Sequence, residues 1–341
     1  MNQEVKTLHK VIKNYRKDDD LGISEQRITN WVNQFLEGDR VFILTELKHI
    51  FSKMYFSKKK AKIFLKVIVK RSKKMFNYST HKEFLDNSNF LDLQPKGKSQ
   101  KKLLELLVEV LKDDFDYDSN GLGSTSQKHN IYIDDVLCTG NTFFNNLKDW
   151  VTEEGKDRLS KLRSKEIDLT VFYIFIAKKY YQKKKGQFYY QVSEDFSDLF
   201  TVLPIYFFEK DILKPVEESL TDLENEYKEK VENNANVHAE NKGFKSYSPD
   251  FFRNEVNPEE FYSSIENRKR LEFIFLKKGI EILNNSNVSK TNVRPLGYSL
   301  PAYKDFGFGA LIFTWRNVAN NTPLVFWYVG GGFTPLFVNK R

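Results

Sequence analysis

Residues 130–144 leave this chain few folds to choose from. Ile131, Tyr132 and Ile133 favour a strand and run into two adjacent carboxylates, Asp134 and Asp135. Val136 and Leu137 make a short apolar step, Cys138-Thr139-Gly140-Asn141-Thr142 follows, and Phe143 and Phe144 open an apolar helical pattern. This order spells a buried strand, a turn at its carboxyl end, and the amino end of a helix. Open α/β sheets bind their ligands at such turns. The turn is rich in hydroxyls and small residues, so its backbone N–H groups can face an anion. Paired aspartates accept hydrogen bonds from neutral hydroxyls, or hold a Mg²⁺ that accompanies the anion. A phosphate with vicinal hydroxyls a few ångströms away describes a ribose 5-phosphate.

The flanking sequence repeats the strand–helix alternation. Residues 89–93 read as a short strand, and Leu103, Leu104, Leu106, Leu107, Val110 and Leu111 as the apolar positions of an amphipathic helix. Asp168–Ala177 is a nearly unbroken apolar run, as expected of a central parallel strand. A basic stretch at 178–185 follows, then a strand at 201–208 placed nearer an edge by Pro204. The alternation predicts an α/β fold with a doubly wound, mostly parallel sheet.

A second strand-to-helix turn lies at 94–101, where Pro95 and Gly97 punctuate the bend. Lys96, Lys98 and Ser99 fall where the N–H groups of a helix amino end gather, so a second anion site is chemically natural there. Gly97-Lys98-Ser99 is not a phosphate-binding P-loop, because Asp92 stands where that motif has its first glycine. Residues 113–130, rich in Ser, Gly and Asn, have the composition of a mobile loop.

Residues 1–85 read as a helical region and 86–341 as the α/β domain, with a helical insertion around 212–290. Ile28, Trp31, Val32 and Phe35 share one helix face, with Ser24 as its cap and Gly38-Asp39 as its stop. The tail reads as an aromatic β extension: a glycine-led strand at 307–315, then an Asn320-Asn321-Thr322-Pro323 turn leading to Trp327. Such a turn between aromatic strands can set Asn320, Asn321 and Trp327 at a base-sized pocket.

Composition narrows the setting. A single cysteine, Cys138, excludes an internal disulfide and a cysteine-rich zinc site, and fits a reducing compartment. No apolar run approaches the ~18 residues of a membrane span, and the polar start lacks a signal peptide's apolar core. A cytoplasmic protein with no membrane partner is the expectation. The net charge of +8 points to a polyanionic partner, either a nucleic acid or a substrate with several phosphates.

Asp134, Asp135, Thr139, Gly140 and Thr142 match the phosphoribosyl-diphosphate (PRPP) motif of type I phosphoribosyltransferases. The longer series resembles the phosphoribosyltransferase-like proteins of bacterial conflict systems, which accompany retron reverse transcriptases and other antiphage modules. It comprises Ile28-x-x-Trp31-x-x-Gln34-Phe35, the Pro95-to-Ser99 loop, the acid-pair motif, the Asn320-to-Trp327 segment and a terminal Thr334-Pro335-Leu336-Phe337. The resemblance implies a PRPP or nucleotide ligand. Thr139, Gly140, Asn141 and Thr142 would take its 5-phosphate. Asp134 and Asp135 would take the ribose hydroxyls and serve an oxocarbenium-like centre. Lys96, Gly97, Lys98 and Ser99 would take a diphosphate carrying Mg²⁺, which the acid pair assists indirectly. It further implies a defence effector that makes or breaks an N-glycosidic bond. Two alternatives stay open: a PRPP or nucleotide sensor without catalysis, and a structural subunit of a reverse transcriptase and nucleic acid complex. The loop at 113–130 lacks the hairpin that closes over the site in these transferases.

Overall fold

The computed structural model describes residues 1–19, 21–95, 98–208, 220–243, 245, 251, 261–288 and 290–337. The chain divides into two compact units, one built from residues 1–57 and 210–341, the other from 58–209. This division falls elsewhere than residue 85. The first unit opens with α1 (Asn2–Ile12), α2 (Glu25–Val32), α3 (Glu37–Met54) and the short strand β1 (Tyr55–Phe56). Ser24 caps α2, its hydroxyl accepting from Arg27 N at 3.1 Å. Gly38 does not stop that helix; α2 ends at Val32, and Gly38 sits in the first turn of α3.

The second unit holds α4 (Lys58–Met75), α5 (His81–Asp86), β2 (Ser88–Phe90), α6 (Ser99–Phe115), β3 (His129–Leu137), α7 (Asn141–Val151), α8 (Arg158–Arg163), β4 (Asp168–Ala177), α9 (Lys178–Gln191) and β5 (Phe200–Phe208). Its four strands form one parallel sheet in the order β2-β3-β4-β5. The α/β class and the parallel sheet are as expected. The helices between strands are the crossovers that parallel pairing requires. α4 belongs to this unit because it packs on α6, where Lys62 meets Glu109 at 3.2 Å and Lys66 meets Asp114 at 2.5 Å.

Register puts Tyr132 beside Val171 and Asp134 beside Tyr173, on one face of the sheet. That face packs on Phe143, Leu147 and Trp150 of α7 and on Phe188 of α9. The Phe143 ring meets Tyr173 edge-on at 5.7 Å and Phe188 at 5.6 Å. Burying each such side chain contributes about 1.5–3 kcal/mol. On the other face Ile131, Ile133, Phe172 and Ile174 are also buried. A sheet buried on both sides explains the unbroken apolar run of β4.

The first unit resumes with α10 (Asp222–Asn241), α11 (Ile265–Asn284) and β6 (Phe313–Thr314), which pairs in parallel with β1. The long glycine-led strand expected at 307–315 shrinks to these two residues. Gly307 and Gly309 have φ of +121° and +68°, conformations that interrupt a strand. Leu324–Phe326 forms a 3-10 turn after Pro323 instead of an aromatic strand.

Candidate functional site

The acid pair lies near the carboxyl end of β3, with Asp135 two residues before Leu137. Asp134 is 4 % exposed and both its oxygens are engaged. Oδ1 accepts from the Ser99 hydroxyl at 2.8 Å and from Asp135 N at 2.9 Å. Oδ2 accepts from Gln94 Nε2 at 2.6 Å and from the Tyr132 hydroxyl at 3.3 Å. Tyr132 is held in turn by Gln94 Nε2 at 3.1 Å and Asn146 Nδ2 at 3.3 Å. Gln100 Oε1 accepts from the backbone N–H groups of Leu93 and Gln94, which fixes the loop that presents Gln94. Burial, reinforced by the neighbouring Asp135 charge, pushes the Asp134 carboxyl up to about 7 against the pull of its hydrogen-bond donors. Asp135 is also buried, and its Oδ1 accepts from Val136 N at 2.8 Å.

The turn after the acid pair has the anion-binding form. Gly140 caps α7 with φ +73° and ψ 6°, and no side chain caps the helix. The first-turn N–H groups, from Asn141 to Phe143, are therefore available to an anion at the positive end of the helix. Asn141 and Thr142 are exposed and Thr139 is half-buried. Cys138 is buried, and burial followed by the Asp135 charge drives its thiol well above the ordinary range. Such a thiol fills space and does not act as a nucleophile.

Lys184 of α9 completes the turn. It is 4 % exposed, and its Nζ donates to Asn141 Oδ1 at 2.6 Å and to Gln187 Oε1 at 2.5 Å. Burial, with Lys183 nearby, lowers it to about 8. Its stem lies so close to Gly140 that a Cβ there would stand 2.7 Å from Lys184 Cγ. A glycine is thus required twice over, by its positive φ and by the lysine beneath it.

Of the second anion loop, Lys96 and Gly97 lie outside the described residues. Lys98 is exposed at the cap position of α6, whose amino end also has no side-chain cap. Ser99 is brought to the acid pair as a donor to Asp134. Asn320, Asn321 and Trp327 belong to the other unit. There Asn321 Nδ2 donates to Tyr298 O at 2.8 Å and the Trp327 indole N–H to Thr322 O at 2.7 Å.

As for Mg²⁺, no three His, Cys, Asp or Glu side chains converge among the described residues. Both Asp134 oxygens already accept two hydrogen bonds each. The donor set fits a cation carried in on phosphate oxygens with its own water, not one caged by the protein. Sequence reasoning missed Gln94, Gln100, Asn146 and Lys184. Lys184 was visible only as one member of the 178–185 basic run.

A parallel α/β sheet with an acid pair near a strand end and an uncapped helix after it is consistent with a phosphoribosyltransferase-like protein. The chain belongs to the PRTase-CE family, whose model matches residues 28–339. No curated protein matches the chain, and no solved structure does.

Proposed function

We propose that the chain binds PRPP or a nucleotide through its ribose 5-phosphate and, as an effector of bacterial antiphage defence in the cytoplasm, makes or breaks an N-glycosidic bond. The observation that carries this reading is the uncapped amino end of α7, with Gly140 at its cap and Lys184 beneath it, next to the acid pair. The phosphate takes the N–H groups of α7 and the hydroxyls of Thr139 and Thr142, and Lys184 lends its charge. Asp135 takes the ribose hydroxyls and steadies positive charge at C1. Asp134 positions the strand end through Ser99 and Gln94. A Mg²⁺ arriving on the ligand's diphosphate would supply charge neutralisation for the leaving group, and Lys98, exposed at the cap position of α6, would help hold that diphosphate.

Calorimetry with PRPP and Mg²⁺ tests the binding step. Micromolar affinity lost in Lys184→Met supports it; equal affinity in that variant refutes the phosphate assignment. Turnover of labelled PRPP or nucleotides, compared between wild type and Asp135→Ala, tests the reaction. One observation favours a second reading, that of a sensor without catalysis. Residues 116–128 carry only a short 3-10 turn at Ser119–Gly121 and no hairpin to close over a reacting centre. Binding without product, even with a defence partner such as a reverse transcriptase and its nucleic acid added, selects the sensor.

A further inference from the structure

The second unit carries another basic hollow, at the opposite end of α7 from the phosphate turn. It is a half-open cleft of about 440 Å³ formed by the segment before β3, the end of α7, the α7–α8 connection, α8 and the segment before β4. Its walls carry four cations, Lys128, Lys156, Arg158 and Lys161, against one acid, Glu166. These residues are far apart in sequence and are gathered only by the amino edge of the sheet, where His129 of β3 pairs with Asp168 of β4.

Among the described residues, two of the four cations have an acidic ion-pair partner, Arg158 with Glu153 and Lys161 with Glu166, and two do not. The side chains of Lys128 and Lys156 have no hydrogen-bond or ion-pair partner among the described residues. Lys161 has only a 4.0 Å approach to Glu166. Arg158 is held in place, donating to Trp150 O at 2.6 Å and to Glu153 at 2.5 Å, with its guanidinium 4.9 Å over the buried Trp150 ring. The result is a flat guanidinium held in place by Trp150 and Glu153, flanked by the exposed lysines Lys128 and Lys156. An arginine plate of this kind stacks on planar heterocycles, while flexible lysines follow phosphates. The volume lies within the ~300–1,000 Å³ typical of small-ligand sites.

We propose that this cleft is a second ligand site, and that it takes a nucleoside di- or triphosphate, the base on the Arg158 plate and the phosphates on Lys128, Lys156 and Lys161. The site is separate from the phosphate turn. Asn141 and Trp150 begin and nearly end α7, which sets the two sites roughly 14 Å apart at 1.5 Å per residue. A ligand that grips the carboxyl end of α7 acts on the helix whose amino end forms the phosphate turn. The geometry thus supplies a physical link between them.

The test is titration of the full chain with ATP and, separately, with inorganic pyrophosphate and a single-stranded oligothymidylate. Hydrogen exchange is followed at 126–130 and 156–161, with the phosphate turn at 139–143 as the comparison. The expected result is ATP protection of both segments, with affinity reduced about tenfold or more in Lys128→Gln/Lys156→Gln, as loss of charge-assisted bonds dictates. Both positions are exposed, so the double variant should keep its fold. Lys184→Met should leave this protection intact while weakening PRPP binding, which separates failure of this site from failure of the phosphate turn. ATP protection confined to the phosphate turn, or unchanged ATP affinity in the double variant, overturns the proposal. So does tighter binding of the oligonucleotide with no response to ATP, which would make the cleft a nucleic-acid contact. Pyrophosphate binding as tight as ATP overturns the base contact.

Discussion

At the scale of single residues, Gly140 and Gly155 make a controlled pair. Both have φ near +74°, at +73° and +74°, but a Cβ at Gly155 meets nothing within 4 Å whereas one at Gly140 meets Lys184. Gly155→Ala should therefore report backbone strain alone, about 1 kcal/mol. Gly140→Ala should cost more and should weaken phosphate binding as well, because Lys184 must shift. Paired thermal melts and phosphate titrations check both. Lys184 also predicts a pH dependence. Its pKa is depressed in the ligand-free fold to about 8, and an anion favours the charged form. Phosphate affinity should fall as pH rises above about 8, and Lys184→Met should flatten that fall. Asp134 is shifted in the opposite direction, and its effect falls on stability. Its folded pKa is raised, so between about 4 and about 7 the folded state holds the extra proton. Stability is then fullest below the unfolded value and is lost as pH rises through that window, by up to ~1.4 kcal/mol per unit. Denaturant titrations of wild type and Asp134→Asn from pH 4 to 8 should show the slope only in the wild type.

At the scale of elements, the acid pair owes its position to the loop before α6 as much as to β3. Gln100 is wholly buried and its Oε1 takes two backbone N–H groups of that loop. Gln100→Leu keeps the bulk but orphans both donors, at about 1–3 kcal/mol each. Faster amide exchange at Leu93 and Gln94, with weaker ligand binding, is the expected outcome; unchanged exchange would show that the loop holds itself. This interplay also marks what the sequence could tell. The strand, acid pair, turn and α7 were legible because each is specified by neighbours within fifteen residues. Lys184 was not, because its role depends on the phase of α9 and on a turn more than forty positions earlier, where it bonds Asn141 and lies against Gly140. The cleft cations were dispersed for the same reason. The tail misled because Phe308 and Ala310 alternate with glycines like a strand, while the positive φ of those glycines folds the segment back. There Gly309 N donates to Leu296 O and Ala310 N to Asn321 O.

At the scale of the whole molecule, the first unit is closed by its own two ends. Gln34 and Thr334 exchange two hydrogen bonds, each of 2.8 Å. Arg27 donates to Leu336 O and Pro335 O at 2.7 Å each, and the buried Trp31 indole donates to Val325 O at 2.8 Å. Phe337 is fully buried against Tyr15 and Phe313, at 4.7 and 5.0 Å between ring centroids. The Ile28-to-Phe35 signature and the terminal Thr334-to-Phe337 signature are therefore one structural clasp read twice along the chain, and no catalytic role is needed to explain them. The two halves are complementary: Arg27, Trp31 and Gln34 donate to tail carbonyls, and Thr334 N donates back to Gln34. Phe337→Ala should destabilise this unit by about 3–5 kcal/mol, since the site is ringed by aromatic groups that cannot collapse into the void. Trp31→Phe should cost less, about 1 kcal/mol, from loss of one buried hydrogen bond to Val325 O, which keeps its longer bond from Leu336 N at 3.4 Å. Hydrogen exchange decides where the loss falls. Phe337→Ala should speed exchange in α1, α2 and α3 and leave β3 and β4 protected. Equal loss of protection in β3 and β4 would mean that the two units unfold as one, and the clasp would then support the phosphate turn as well.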